Sequence, residues 1–193
     1  MIVPLHIPHV EQFTDDELAS FCTANPGLHI ERDEHGMLFI DMSPTYLLTS
    51  SNNSELNGEL IIWNRRIKAG KVIDSNGGFF LPDRSMRAPD VAWIKRDRWD
   101  ALSTGVKKSI PYLVPDFVLE LASDTDNLNQ LHDKMGIWLK NGVRLGWLVS
   151  PRDGKTFIYK PDAPVVTKLF TETLTGDDVL IGFETILADI LEL

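Results

Sequence analysis

The stretch from Tyr112 to Ser150, YLVPDFVLELASDTDNLNQLHDKMGIWLKNGVRLGWLVS, decides the fold. Two apolar runs of strand length flank a segment whose apolar residues recur every three or four positions, the pattern of an amphipathic helix packed on a sheet. Gly142 marks the end of that helix, since glycine commonly follows a helix C-terminus. A strand, helix and strand unit of this length predicts two parallel strands joined by a right-handed crossover.

Glu120 is the only charged residue in the first predicted strand, Phe117 to Ala122. A carboxylate in so apolar a strand is costly to bury unless a cation or hydrogen-bond donors meet it. In the helix that follows, Asn127, Gln130 and Lys134 share one spacing along the flank of the apolar stripe. They therefore form a polar ridge that can lean toward the sheet.

A second acid, Asp90, stands at the head of a predicted strand that extends to Ile94. The chain between Asp90 and Glu120 is consistent with adjacent strands joined by a loop. Two carboxylates side by side repel each other unless a divalent cation lies between them, and oxygen ligands suit Mg²⁺ or Mn²⁺ best. With Lys134 nearby, the set contains what metal-assisted phosphodiester hydrolysis needs: two metal ligands and a cation near the attacking water.

Composition limits the class of protein. At 193 residues, with 43% hydrophobic and 24% charged residues, the chain has the size and composition of a soluble single domain. No window has the apolar length of a membrane span, and the first ten residues lack the features of a signal peptide, so we expect a cytoplasmic protein. Cys22 is the only cysteine, which excludes an internal disulfide and a cysteine-based zinc cluster. The net charge of −9 argues against tight non-specific nucleic-acid binding.

The first 43 residues are interpreted as a small N-terminal extension, ahead of a core that spans residues 44–193. A helix is predicted from Thr14 to Ala24, and a hairpin from Leu28 to Ile30 and Met37 to Met42. Four of the five histidines lie in this extension, at spacings that match no metal motif: His6, His9, His29 and His35. They are interpreted as surface or hairpin residues.

Two further helices are predicted, from Asn52 to Ile67 and, more briefly, from Thr185 to Leu193. Glu55 lies three residues after Asn52, a spacing that allows a capping box at the helix start. A catalytic role for Glu55 competes with this structural interpretation, and both stay open.

Basic residues cluster after the strand that ends at Ile94, and they form the strongest candidate for a positive patch: Lys95, Arg96, Arg98, Lys107 and Lys108. Charge runs of this kind are usually solvated faces. Binding of nucleic acid is the less favoured alternative.

Six short segments follow one another in a specific order: Met42-Ser43-Pro44-Thr45, Asn53-Ser54-Glu55-Leu56, Arg87-Ala88-Pro89-Asp90-Val91, Pro115-Asp116-Phe117-Val118-Leu119-Glu120-Leu121, Lys134-Met135 and Gly142-Val143-Arg144-Leu145-Gly146-Trp147-Leu148. With these segments, residues 44 to 184 resemble the Uma-two family of restriction endonucleases. This bacterial and especially cyanobacterial group belongs to the PD-(D/E)XK nuclease superfamily. A series of this length is fairly specific for the family.

The resemblance implies an α/β (α+β) fold: a restriction-endonuclease-like core with a mixed β-sheet flanked by helices. It also implies a metal site built from Asp90 and Glu120, with Mg²⁺ or Mn²⁺ as the cofactor and DNA as the substrate. Because cleavage of a duplex needs two active sites and fold relatives are commonly dimers, a homodimer is expected by analogy.

The resemblance assigns three more residues. In the superfamily a lysine usually follows the second acid by two residues, but that position is Ala122 here. The lysine role is therefore carried to Lys134, as families with a migrated lysine suggest, with Gln130 as its partner one turn earlier. Glu55 matches the acidic residue that the superfamily carries on its first core helix.

Each of these residues also has a purely structural interpretation. Asp90 fits a turn after a proline, and Glu120 fits a structural ion pair with Arg144 or Lys134. Lys134 fits a solvated helix residue paired with Gln130 or Asp133.

Three functions are compatible with the sequence. The preferred one is a metal-dependent endonuclease that hydrolyses DNA. The second is a catalytically silent nuclease-fold domain that binds nucleic acid or a protein partner. The third is a hydrolase that uses two carboxylates without metal, in which the lysine ridge has no role.

Overall fold

The computed structural model describes residues 2–5, 13–41 and 46–192. The expectations for His6, for His9 and for the segment from Met42 to Thr45 lie outside the described residues. The helices are α1 (Asp15–Ala24), α2 (Leu47–Ile67), α3 (Arg96–Asp100) and α4 (Leu128–Lys140). The strands are β1 (Ile2–Leu5), β2 (His29–Arg32), β3 (Leu38–Asp41), β4 (Gly70–Asp74), β5 (Phe79–Phe80), β6 (Met86–Arg87), β7 (Val91–Lys95), β8 (Phe117–Leu121), β9 (Leu145–Ser150), β10 (Lys155–Tyr159), β11 (Val166–Leu169), β12 (Thr173–Thr175) and β13 (Glu184–Ile186).

The central sheet has six strands in the order β11-β10-β9-β8-β7-β4. Strands β8 and β9 are parallel, with Glu120 opposite Leu148, and the other neighbours are antiparallel. The predicted mixed sheet is confirmed, and so is the parallel pair on either side of α4. A second sheet has the order β1-β3-β2-β6-β5, and β12 pairs with β13.

Alternation along β7 and β8 divides the core into two layers. Val91, Trp93 and Leu119 pack under α2. On the other face, Ala92 and Val118 pack with the α4 stripe, whose Met135 and Trp138 are fully buried: both side chains have 0% exposure. Glu120 has the same parity as Val118, so its side chain faces the α4 side of the sheet.

The N-terminal hairpin is joined to the rest of the molecule by a strand contact. Arg32 of β2 pairs with Met86 of β6. Its buried guanidinium donates to the carbonyl oxygens of Phe13 and Arg84. The predicted helix and hairpin of this segment are confirmed, with Thr14 as the N-cap of α1. The separation of residues 1–43 from residues 44–193 stays a prediction.

Two helix predictions are wrong: the start of α2 and, over the described residues 185–192, the terminal helix. Helix α2 begins at Leu47, five residues before Asn52, so Asn52 lies within the helix and does not cap it. Its side-chain amide is buried: it donates to the carbonyl oxygen of Glu192 at 2.8 Å and accepts from the N–H of Glu192 at 3.0 Å. The terminal helix is replaced by strand β13 and a single 3₁₀ turn, Leu187–Asp189, since β-branched Thr185 and Ile186 favour the extended backbone.

Candidate active site

Asp90 and Glu120 come together at one end of the β7–β8 pair. The antiparallel ladder places Val91 opposite Leu119, so Asp90, one residue before β7, is next to Glu120 in the register. The Asp90 Oδ2 atom accepts a 2.7 Å hydrogen bond from the backbone N–H of Leu121, the residue after Glu120. The predicted neighbourhood of these two acids is therefore present.

Lys134 reaches this pair from α4. Its Nζ lies 3.0 Å from both carboxylate oxygens of Glu120 and donates to the carbonyl oxygen of Ala88 at 3.2 Å. Trp138, one turn further along α4, donates its indole N–H to Glu120 Oε1 at 2.9 Å. The Glu120 side chain is only 4% exposed, so these donors replace the water that a carboxylate otherwise needs.

Of the two ion-pair partners predicted for Glu120, only Lys134 is in contact with it. Glu120 pairs with Lys134, whereas Arg144 lies 2.7 Å from Asp178 at an exposed site. Lys134 is 17% exposed and pairs with Glu120 and not with Gln130 or Asp133, so the interpretation as a solvated helix residue is wrong.

A third acid, Glu31 of β2, belongs to the same cluster and was not predicted. Glu31 Oε1 lies 2.9 Å from Lys134 Nζ and accepts a 3.0 Å hydrogen bond from the backbone N–H of Ala88. Its Oε2 accepts from the guanidinium of Arg87 at 3.2 Å. Glu31 alternates with the buried side chains of Ile30 and Arg32, a position that usually faces solvent in a hairpin, so no signal in the sequence singles it out.

Acidic side chains outnumber basic ones in the cluster that contains Asp90 and Glu120. Burial raises the pKa of Glu120 to about 8, against the attraction of Lys134 and assisted by the charges of Asp90 and Glu31. Burial likewise raises the pKa of Asp90. For Glu31 the cost of burial is outweighed by Lys134 and Arg87, which lower its pKa. Lys134 loses hydration, but Glu120 and Glu31 raise its pKa above the usual lysine range. Glu31 and Lys134 are therefore the ionised pair, and the other two acids hold protons more readily than usual.

Gln130 and Glu55 do not contact this cluster. Gln130 is exposed on α4, one turn before Lys134. Glu55 is exposed on α2, the helix that packs against the opposite face of the sheet through Leu56 and Leu60. The capping box proposed for Glu55 is wrong, because α2 begins earlier and Asn52 bonds elsewhere.

The basic residues lie at the other end of β7 and are largely paired. Lys95 is at the strand end opposite Asp90, roughly 17 Å away at about 3.3 Å per residue. Its ammonium pairs with Asp97 at 3.1 Å, and Arg96 and Arg98 pair with Asp100 and Asp116. Lys107 lies over the ring of Trp99, with its Nζ 5.3 Å from the ring centroid. The cluster of acids and the positive patch are thus separate surfaces.

Histidine contributes nothing to the cluster in the described chain. His29 and His35 are exposed in the β2–β3 hairpin, as predicted. Within residues 2–5, 13–41 and 46–192, no group of three or more histidine, cysteine, aspartate and glutamate side chains is arranged to hold a metal ion. A metal held here would therefore depend on the two predicted acids and on water.

Comparison with known proteins identifies the family. A family model described as "Uma2: Putative restriction endonuclease" matches residues 14–190. The chain belongs to this family. The Uma2 match begins at Thr14, within the segment interpreted as an extension, and includes the hairpin that carries Glu31. No protein with curated annotation matches the chain.

A solved structure supports the fold. The crystal structure of a protein from Anabaena variabilis, described as a putative nuclease belonging to DUF820, superposes with a TM-score of 0.70. The two chains are 16% identical, and the match covers 83% of this chain and 88% of the other. The predicted restriction-endonuclease-like fold is thus supported for this member of the Uma2 family. None of the described helices is long and apolar enough to cross a membrane.

Proposed function

We propose that this protein is a divalent-metal-dependent endonuclease that hydrolyses phosphodiester bonds in DNA. The observation that carries the proposal is the position of Lys134. Its ammonium lies 3.0 Å from Glu120 and comes from α4, whereas the usual lysine position after the second acid is Ala122. The cation that the chemistry requires is present beside the second acid although the strand position lacks it.

Asp90 and Glu120 fit a magnesium or manganese ion. Both offer carboxylate oxygens, and both have raised pKa values because burial and neighbouring negative charge disfavour their ionised forms. A divalent cation relieves that excess of negative charge. Two protein carboxylates are a normal complement for Mg²⁺, which keeps several water ligands.

The proposed roles rest on the contacts of the acids and Lys134 and, for Gln130 and Glu55, on the family resemblance alone. Asp90 and Glu120 would hold Mg²⁺, which would supply polarisation of the scissile phosphate and a lowered pKa of the attacking water. Lys134 offers N–H donors to a phosphate oxygen and offsets the negative charge that develops on it. Gln130 was predicted as the partner of Lys134; it is exposed one turn earlier on the same helix and would contribute through the substrate and not through the cluster. Glu55 is assigned as a supporting acid on the family resemblance alone. It is exposed on α2 and does not contact the cluster.

Cleavage of both strands of a duplex needs two active centres. We therefore propose that two copies of the chain act together as a homodimer, as is common for this fold. Light scattering on the purified protein, with and without DNA, measures the mass directly. A monomer in both conditions would leave single-strand nicking as the expected activity.

Plasmid nicking tests the proposed function. The purified protein should convert supercoiled DNA to the nicked form with Mg²⁺ or Mn²⁺, and a chelator should stop the reaction. Glu120→Gln and Asp90→Asn should abolish nicking, while Glu184→Gln, which removes an exposed carboxylate from β13, should not. Nicking that persists unchanged in both variants would point to another site or a contaminant.

A catalytically silent domain is the second candidate, and one observation favours it. Within the described chain, the Lys134 ammonium already has three acceptors: Glu31, Glu120 and the carbonyl of Ala88. An ammonium with all three donors occupied resembles a structural network. Binding of nucleic acid without cleavage, unchanged by Glu120→Gln, would support this second function.

A further inference from the structure

The unexpected member of the cluster is Glu31, and both of its oxygens have fixed partners. Oε1 contacts Lys134 Nζ at 2.9 Å and the backbone N–H of Ala88 at 3.0 Å, and Oε2 contacts Arg87 at 3.2 Å. The side chains of Arg87 and Lys134 are 9% and 17% exposed, so water competes little for either contact. Glu31 is thus held by two cations and a backbone donor.

Glu120 is held less completely than Glu31. Lys134 is its only cationic partner among the described residues, and its other donor is the neutral indole of Trp138. An acid that bridges two cations and a backbone N–H loses more by moving than an acid that meets one cation. Of the two carboxylates on Lys134, Glu120 is therefore the one that can be exchanged.

Lys134 has three N–H donors, and all three are in use. They are directed to Glu31, to Glu120 and to the carbonyl oxygen of Ala88. A phosphate oxygen can be bound by Lys134 only if one of these acceptors gives way. The Ala88 carbonyl belongs to the backbone, and Glu31 is anchored on both sides, which leaves the contact with Glu120.

We propose that Glu31 is the positioning residue of Lys134: it retains the ammonium when the contact with Glu120 is given up, so that the freed N–H is directed to a substrate phosphate oxygen. The catalytic part of this inference rests on the proposed nuclease function. The anchoring part concerns only the protein and can be measured without substrate or metal.

The N-terminal hairpin acquires a function through Glu31. Glu31 is on β2, which reaches β6 through the bridge between Arg32 and Met86. Residues 87 and 88, which follow that bridge, supply two of the contacts of the cluster. The hairpin therefore controls the position of a side chain on α4, far away in the sequence.

Chemical labelling of lysines tests the anchoring in the metal-free protein. At a fixed pH, the acetylation rate of each lysine is measured by mass spectrometry in the wild type, in Glu31→Gln and in Glu34→Gln, which removes an exposed carboxylate at the tip of the same hairpin. Loss of the anchor should raise the rate at Lys134 by about tenfold, the factor for loss of one charge-assisted hydrogen bond. Lys140, exposed on the same helix, should keep its rate in all three proteins.

A second variant protects the test against general loosening of the fold. Glu31→Gln leaves Arg87 buried beside a neutral group, which destabilises the hairpin. The double change Glu31→Gln with Arg87→Gln removes both charges, and it should give the same gain at Lys134. An unchanged Lys134 rate in both variants would overturn the proposal, as would equal gains at Lys134 and Lys140.

Catalysis and metal affinity supply the second readout. Glu31→Gln should lower kcat for nicking by about 10- to 100-fold, while the affinity for Mn²⁺ measured by calorimetry changes by less than about threefold. A tenfold loss of Mn²⁺ affinity with an unchanged Lys134 labelling rate would make Glu31 a metal ligand and refute the positioning role. If the wild type cleaves no DNA but the labelling gain is found, the nuclease function fails and the anchoring of Lys134 stands.

Discussion

Two aspartates, each preceded by a proline, stand at opposite ends of the β7–β8 pair and make nearly the same backbone contact. Asp90 Oδ2 accepts the N–H of Leu121 at 2.7 Å, and Asp116 Oδ2 accepts the N–H of Lys95 at 2.9 Å. Each aspartate precedes its own strand and bonds the end of the neighbouring one. The antiparallel pairing explains why two similar dipeptides occupy equivalent places at the two ends.

The two ends differ in how the negative charge is met. Asp116 lies 2.9 Å from the guanidinium of Arg98, so its charge is balanced. Asp90 forms no ion pair with any described residue; Lys134 attracts it from a distance, and the negative charges of Asp126 and Glu31 repel it. Burial is the main cause that raises the pKa of Asp90, and the two neighbouring acids add to it. A strand cap with a neutralised charge is structural, whereas a cap with an unbalanced charge is suited to binding a cation.

The largest expected effect of this difference is on catalysis. Asp90→Asn should lower the nicking rate by at least about 100-fold, because it removes a proposed metal ligand. Asp116→Asn should leave the rate per folded molecule within about threefold of the wild type, since Asp116 is at the far end of the strands. Nicking assays at saturating Mg²⁺, corrected for the folded fraction by circular dichroism, measure both.

Equal effects of the two substitutions on cleavage would contradict the assignment of Asp90 to the metal site. If Asp116→Asn abolishes cleavage in protein that is fully folded, the functional end of the sheet has been placed wrongly. If Asp90→Asn retains cleavage, the metal site does not include Asp90.

Of the same pair of variants, only Asp116→Asn should destabilise the protein. Asp116→Asn removes the anionic partner of Arg98, which keeps its hydrogen bond to the carbonyl oxygen of Val114. Because the Arg98 side chain is 38% exposed, the cost should be about 1 to 3 kcal/mol of unfolding free energy. Asp90→Asn can still accept the N–H of Leu121 and removes a repelled charge. It should be neutral or stabilise by up to about 1 kcal/mol in metal-free protein. Urea unfolding at pH 7.5 without metal gives both values, and destabilisation by Asp90→Asn equal to that of Asp116→Asn would refute the contrast.

The contrast also shows what the sequence could and could not predict. The alternation of β8 and the stripe of α4 placed Glu120 and Lys134 on facing surfaces, because local periodicity determines which side of an element is buried. Glu31 was missed because its strand is distant in sequence, and only tertiary pairing turns its polar face inward. The capping box at Asn52 failed for a similar reason: its side chain bonds the backbone of Glu192, a partner that local spacing cannot reveal.

The stability of the metal-free protein should depend on pH because of Glu120, at the Asp90 end of the strand pair. Glu120 has a folded pKa of about 8 against an ordinary value of 4.5, so between these pH values the folded state binds more protons than the unfolded state. Stability should therefore fall as the pH rises through this window. We expect Tm to drop by about 2 to 8 °C between pH 5.5 and 8, equivalent to about 1 to 2 kcal/mol.

Two controls connect this slope to Glu120. Glu120→Gln cannot titrate and should flatten the profile, and Mg²⁺ should restore stability at pH 8 because it replaces the proton. Asp116→Asn should keep the slope of the wild type. A rise in Tm over the same interval, or a slope unaffected by Glu120→Gln, would show that another group is responsible.

The smallest effect is expected from the basic residues at the Asp116 end. Lys95, Arg96 and Arg98 are already paired with carboxylates, and only Lys107 and Lys108 have no anionic partner among the described residues. Because this end is roughly 17 Å from Asp90, the double change Lys107→Gln with Lys108→Gln should alter the nicking rate by less than about threefold. It should lower the salt dependence of DNA binding only slightly, as measured by fluorescence anisotropy at several salt concentrations. A loss of tenfold or more in both would mean that the duplex spans both ends of the sheet, and the charge-balanced end would then be a binding surface for the centre at Asp90.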